Sequence, residues 1–161
     1  MPGLFFVMLQ FRACKVMAIP LAILLLASFL CGCSSFNHDW EIASRQPVQP
    51  TQLEGPWQGS WRSDANGHNG QLRCVVTKKT DDTFRARFHA RYGKVLSFGY
   101  TVTLRAQQQG PSWNFQGQAN LGFLAGGVYY YDGHSDGTNF FSKYSNKYDH
   151  GTFEMKRPGV E

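Results

Sequence analysis

The sequence predicts an all-β domain of eight antiparallel strands in chain order, an up-and-down meander that closes into a barrel. Three observations carry this prediction. From Gly55 to Pro158 apolar and polar residues alternate with period 2, the pattern of strands with one buried face. Clusters of Gly, Asp, Asn and Pro interrupt the alternation at short intervals, as hairpin connections require. The segment spans 104 residues, which leaves only short connections between eight strands, so consecutive strands are neighbours in space. Closing such a meander removes the exposed edges that would otherwise invite aggregation.

Taken in order, the first two strands are Trp57 to Ser63 and Gln71 to Lys79, joined through Asp64-Ala65-Asn66-Gly67. The third, Thr83 to Tyr92, follows Asp81-Asp82 and gives the clearest signal. Phe84, Ala86, Phe88, Ala90 and Tyr92 alternate with Arg85, Arg87, His89 and Arg91. After Gly93, Val95 to Leu104 sets Leu96, Phe98, Tyr100, Val102 and Leu104 against Ser97, Gly99, Thr101 and Thr103. Beyond Gly110-Pro111, Trp113 to Leu121 sets Trp113, Phe115, Gly117, Ala119 and Leu121 against Asn114, Gln116, Gln118 and Asn120. The last three strands are shorter: Val128 to Asp132 after Gly126-Gly127, Asn139 to Ser145 after the turns Asp132-Gly133 and Asp136-Gly137, and Gly151 to Arg157 after Asp149-His150. Residues 159–161 form a tail.

Composition agrees with a packed core. The chain has 13 Phe, 7 Tyr and 4 Trp with only 17% charged residues, which excludes a disordered chain, and no helical charge pattern supports a coiled coil.

Residues 1–32 differ in kind. Arg12 and Lys15 are their only charges, and Val16 to Leu30 is apolar except for Pro20 and Ser28, the pattern of a helical secretory signal. The run is shorter than the roughly 20 residues of a membrane-spanning helix and ends without a charged stop-transfer flank. Met8 is an alternative start that leaves a conventional basic n-region. The sequence Leu30-Cys31-Gly32-Cys33 resembles the lipobox of bacterial lipoproteins, with Cys31 an uncommon residue at its position. The resemblance implies cleavage before Cys33, a diacylglycerol thioether on that cysteine, and a further acyl chain such as palmitate on its amine. Two or three chains anchor a protein effectively permanently, each buried CH₂ adding about 0.8 kcal/mol. Ser34 resembles the sorting pattern of the outer membrane, so the periplasmic face of that membrane is the expected location.

Residues 33–54 read as the anchor cysteine and a flexible linker, Ser34 to Glu54, with two prolines, able to span about 65 Å at ~3.1 Å per residue; Trp40 and Ile42 offer a pair that could instead pack back on the domain. Loss of Arg12 and Lys15 lowers the formal charge from +5 to +3, too little for a nucleic-acid binder. The exported domain keeps Cys74 alone, in the apolar phase of a strand, which excludes an internal disulfide and points to an inert buried thiol.

Gly55-Pro56-Trp57 on the first strand, with Arg157 in phase with Phe153 and Met155 at the end of the last, resembles the calycin pattern of lipocalins and their relatives. That resemblance implies that Trp57 plugs the closed end of the barrel under Arg157, a cation–π pair. Gly59-Ser60-Trp61 is a second Gly-x-Trp and leaves Trp61 as an alternative plug. The domain departs from the pattern in being short and in lacking the long helix and disulfide.

Candidate functional groups follow from placement. An eight-stranded barrel is either packed solid or holds one small ligand. The candidate pocket residues are Trp61, Phe88, Phe98 and Tyr100 from the first four strands, and Trp113, Phe115, Tyr130 and Tyr144 from the rest. In a meander, alternate connections share an end, which brings Asp64 and His68 near Asp149 and His150 and sends His134 and Asp136 to the opposite end. Such a cluster suits metal or acid–base chemistry, and equally suits plain turns. The Arg85, Arg87, His89 and Arg91 stripe is either a solvated outer face or a dock for anionic groups. A membrane-spanning barrel is disfavoured, because it needs an apolar outer band where this stripe lies. No nucleophile elbow, P-loop, zinc spacing or dinucleotide glycine motif is present, so no enzyme and no cofactor are expected. The expectation is a monomer held by membrane lipid through Cys33, binding a small apolar or amphipathic ligand in the barrel, or else a solid-core module that contacts envelope components.

Overall fold

The computed structural model describes residues 35–49, 51–93 and 96–159; the signal segment, the cleavage site, Cys33 and the alternative starts lie outside the described residues. Helix α1 (residues 35–45) precedes eight strands: β1 (Gly55–Ser63), β2 (Asn69–Lys78), β3 (Thr83–Tyr92), β4 (Leu96–Gln109), β5 (Ser112–Asn120), β6 (Val128–Ser135), β7 (Asn139–Ser145) and β8 (His150–Lys156). Each strand pairs antiparallel with the next. β8 returns to β1, with Gly59 opposite Met155 and Trp61 opposite Phe153, so the sheet closes.

The β1/β2, β3/β4, β5/β6 and β7/β8 connections lie together at one end, the rim, and the remaining hairpins lie at the other. That other end is closed. Leu53 and Trp57 are fully buried there, the Trp57 indole N–H donates to the Leu53 carbonyl at 3.0 Å, and the Arg157 guanidinium sits 3.6 Å from the indole centroid.

β1 and β2 each begin two residues earlier than their alternation suggested, and β4 and β6 run well past their expected ends. β4 continues to Gln109 through polar residues paired to β5. β6 passes straight through Asp132-Gly133, read from sequence as a turn, to Ser135. Gly133 serves packing there: a Cβ on it would lie 2.7 Å from the Phe115 ring and 2.2 Å from the Phe141 carbonyl oxygen. Its absent side chain is the space that the ring fills.

The first part of the segment read as a flexible linker is helical. Phe36, Trp40 and Ala43 recur at helical spacing and face Val75 on the outside of β2, with Phe36 and Ala43 buried, while Ile42 stays 47% exposed. An isolated helix of this length is marginal in water. Docking supplies what propensity lacks.

Candidate functional site

Inward rings pack against one another from the closed end to the rim half of the barrel. In the rim half the Phe88 ring stacks on Tyr100 at 5.2 Å and on Tyr131 at 6.3 Å, and meets Phe153 at 5.5 Å. Phe153 in turn packs on Tyr144 at 5.0 Å, and Tyr144 on Tyr129 at 6.1 Å. Toward the closed end Phe115 stacks on Phe140 at 4.6 Å, Phe140 meets Trp57 at 5.4 Å, and Phe84 meets Trp113 edge-on at 5.2 Å. Small inward residues, Ala86, Ala90 and Gly117 among them, accommodate these rings. Burial pushes the Tyr100, Tyr131 and Tyr144 hydroxyls and the Cys74 thiol above their ordinary ranges, holding all four neutral.

Of the eight pocket candidates, Phe88, Phe115 and Tyr144 are buried inside, and Trp61, Tyr100 and Trp113 pack against that core. The Trp61 indole donates to the Arg91 carbonyl at 3.2 Å near the rim, and that of Trp113 to the Thr51 carbonyl at 2.8 Å near the closed end. Trp57, not Trp61, is the ring that closes the barrel. Phe98 belongs to the inward phase but sits near the rim at 50% exposure, against Tyr100 at 6.1 Å. Tyr130 points outward and is 58% exposed, a correction to its pocket assignment. Its neighbours Tyr129 and Tyr131 take the inward phase instead, because β6 is paired so that Tyr131 opposes Gly117 and Tyr144.

Arg157 is a structural cation. It is 7% exposed, and its guanidinium donates to the carbonyls of Gly137 at 3.0 Å, Glu54 at 2.8 Å, Pro56 at 3.3 Å and Gln52. Burial lowers its pKa to about 10, against the opposing pull of Glu54, so it stays charged at neutral pH.

Strand parity does bring Asp64, His68, Asp149 and His150 to one end, and their contacts are those of turns. The Asp64 N–H donates to the His150 carbonyl at 2.8 Å, Asp149 accepts from the Ser63 hydroxyl at 2.6 Å, and the His68 ring lies 5.0 Å from Tyr92. Asp136 lies at the opposite end, accepting from the Thr138 N–H at 2.9 Å and from Asn139, while His134 belongs to β6 with its ring 5.5 Å from Phe141. Among the described residues no group of three or more His, Cys, Asp or Glu could hold a metal ion.

The basic stripe is partly covered rather than solvated. Arg85 and Arg91 are exposed, but α1 lies over the middle of the stripe: Phe36 stacks on His89 at 5.0 Å and Asp39 pairs with Arg87. On β2, Arg73 lies 5.3 Å from the Phe36 ring and 5.2 Å from that of Trp40, and donates to Asn37 at 3.0 Å. Burial, followed by the charges of Arg73, Arg91 and Arg87, lowers the His89 pKa.

Two concavities lie on the outer face. One, of about 700 Å³, runs over β7, β8, β1 and β2. The larger, about 1340 Å³, is a trough over β4 to β7. Pairing arranges its outward side chains in rows: Thr103, Gln118, Tyr130 and Ser145; then Arg105, Gln116, Asp132 and Lys143; then Gln107, Asn114, His134 and Phe141. Gln116 donates to Asp132 at 2.9 Å within the second row. This face was not assigned from sequence, although the run of amides in the polar phase of β5, where charged residues are commoner, was its signal.

No family model, curated protein or solved structure matches the chain. Among the described residues no helix is long and apolar enough to cross a membrane.

Proposed function

We propose that this chain is a lipid-anchored binding module of the bacterial cell envelope that works through the outer surface of its barrel. The continuous packing of inward rings is the observation that carries this reading. A ligand site needs a few hundred Å³, and rings linked from Trp57 to Phe115 and from Phe98 to Tyr129 take up that space. Of the two expectations from sequence, the geometry favours the solid-core module over the carrier. The lipobox resemblance at residues 30–33 supports the anchor, and Ser34 supports the outer membrane. The Trp57–Arg157 contact supports a calycin-like origin for the fold.

The β4–β7 trough carries the binding chemistry, and its occupant on this reading is a glycan strand. Amides offer a donor and an acceptor on one planar group, which suits vicinal sugar hydroxyls. Tyr130 and the His134/Phe141 pair offer ring faces for the apolar side of a sugar. The charges lining this face, Arg105 and Lys143 against Asp82 and Asp132, cancel, so a neutral or weakly charged polymer fits better than a polyanion. The role is binding, without a catalytic step.

Two measurements on protein extracted from membranes test this. Purified envelope glycan should bind, and the Gln118→Ala/Tyr130→Ala double variant should bind at least ~10-fold more weakly, the loss of about 1.4 kcal/mol of contact. Unchanged binding by the variant would remove the trough from the proposal. Native mass spectrometry should return the mass of the chain and its acyl groups alone; a stoichiometric apolar molecule retained in the barrel would restore the carrier reading.

A further inference from the structure

The rim differs from the closed end in one respect that the trough does not use. Six of the eight large hydrophobic side chains left exposed among the described residues gather there, Ile42 on α1 and Tyr130 in the trough being the others. Tyr92 ends β3, and Leu96 (63% exposed) and Phe98 (50%) begin β4. Phe123 is 94% exposed in a short turn of 3₁₀ helix (Phe123–Ala125) between β5 and β6, and Val128 follows it. Tyr148, 71% exposed, caps the β7/β8 connection. These come from three successive hairpins, so they ring the mouth instead of forming one stripe along a strand. Among the described residues Arg62, Arg91 and Lys147 stand with them, the last with its ammonium 5.4 Å from the Tyr148 ring. The acids at this end are engaged. Asp64 lies 3.9 Å from Arg62, and Asp149 accepts from Ser63 and Tyr144.

We infer that the rim docks on a lipid bilayer, with Phe123, Leu96, Phe98 and Tyr148 in the headgroup and upper acyl layer and the cations at the phosphates. Aromatic and aliphatic tips beside Lys and Arg are the side-chain set that a bilayer interface stabilises. A soluble domain that exposes several large apolar groups at one end has a partner for that end. The chain path says which. α1 begins with Phe36 on His89, three residues from the rim end of β3, and the chain then descends to the closed end, where Arg157 holds the Gln52 carbonyl. Cys33 precedes Phe36 by three residues, a reach of at most about 11 Å. The described chain thus begins in the rim half of the barrel, and the docked helix takes the place of part of the long tether that residues 33–54 suggested from sequence. The choice of a bilayer rests on the proposed lipid anchor; the exposed rim does not.

The test uses the full chain expressed in bacteria, purified from membranes and reconstituted into vesicles of phosphatidylcholine and phosphatidylglycerol carrying brominated acyl chains. Two variants each add one tryptophan, Phe123→Trp at the rim and Lys79→Trp at the opposite end, and emission is read as the difference from the unsubstituted chain. The expected result is loss of the Phe123→Trp emission to bromine quenching, with the Lys79→Trp emission retained. Vesicle-bound protein with unquenched Phe123→Trp overturns docking by the rim, whether solvent or a co-purified protein covers that end. Quenching of Lys79→Trp overturns it too, as does protein that stays off the vesicles. The mass of the N-terminal peptide reports the anchor separately. Acylated Cys33 with an unquenched rim sinks only the docking step, whereas a quenched rim without acylation sinks only the anchor.

Discussion

Replacing Phe88 by alanine tests the central physical claim, that the barrel interior is solid. Phe88 is 1% exposed and lies between Tyr100, Tyr131 and Phe153 at ring separations of 5.2, 6.3 and 5.5 Å. Truncation removes the six ring carbons from a site whose walls cannot follow. β3 is hydrogen-bonded to β2 and β4 along its length, and the neighbouring rings are held by their own packing. Burying a large side chain is worth several kcal/mol, and an uncollapsed cavity adds about 24 cal/mol per Å³, so Phe→Ala in a core costs about 3–5 kcal/mol. The closed sheet places Phe88→Ala near the top of that range, at about 4–5 kcal/mol. Urea unfolding followed by far-UV circular dichroism should show a lower midpoint with an unchanged slope. The dry apolar hole should also admit benzene, which the parent chain should exclude. A loss below about 2 kcal/mol, with benzene bound equally by both proteins, would refute the solid core, because the ring would then already border a void.

The closed end predicts a cost for Arg157→Ala of about 3–5 kcal/mol in the same unfolding assay, since four backbone carbonyls lose a buried charged donor; Arg157→Lys should recover only part, keeping the charge but not the fork. Gly133→Ala should destabilise by about 2 kcal/mol or more in thermal unfolding, and Phe115→Leu should not rescue it, because the new methyl meets the Phe141 carbonyl oxygen at 2.2 Å before it meets the Phe115 ring. Stability should fall as pH drops below about 6.5, the ordinary histidine value. The folded His89 pKa lies lower, so in that window the unfolded chain binds a proton that the folded chain refuses. Melting curves of His89→Gln should lack that part of the slope, which the surrounding Arg73, Arg87 and Arg91 cannot supply, being charged throughout. At pH 11 the tyrosinate absorbance should report fewer than the chain's seven tyrosines, because Tyr100, Tyr131 and Tyr144 keep their protons until the barrel opens.

What was legible in the sequence was whatever one strand decides by itself. β3 and β7 match the alternation at both ends, since a two-residue repeat with one buried face records its own boundaries. β6 was harder, because Tyr129, Tyr130 and Tyr131 give no phase, and only pairing to Gly117 and Tyr144 chooses Tyr131 for the interior. Gly133 looked like a turn because nothing local distinguishes a glycine that bends the chain from one that makes room for a distant ring. Helix α1 was hidden for a related reason: its apolar stripe is three residues long, and its partners Val75, Arg73 and His89 are remote in sequence. The trough needed four strands in register before its amides formed a surface. The rim needed all the connections placed at their ends.

The energetics of a small barrel explain why binding belongs outside this one. Cys74 is a free buried thiol, so no disulfide offsets an imperfect core. Opening a lumen of about 300 Å³ would cost about 7 kcal/mol at 24 cal/mol per Å³, as much as the whole stability of many domains, about 5–15 kcal/mol. Larger carriers can spread that loss over more core or brace it with cross-links. This barrel instead spends its inward positions on rings and leaves its outer face free to vary. Changes at Gln116, Gln118 or Tyr130 alter no buried contact, so they should shift stability by no more than about 0.5 kcal/mol. That separation yields a contrast within one protein: truncations facing inward should lower stability with the surface chemistry intact, and truncations in the trough should remove glycan binding from a barrel that melts where the parent does.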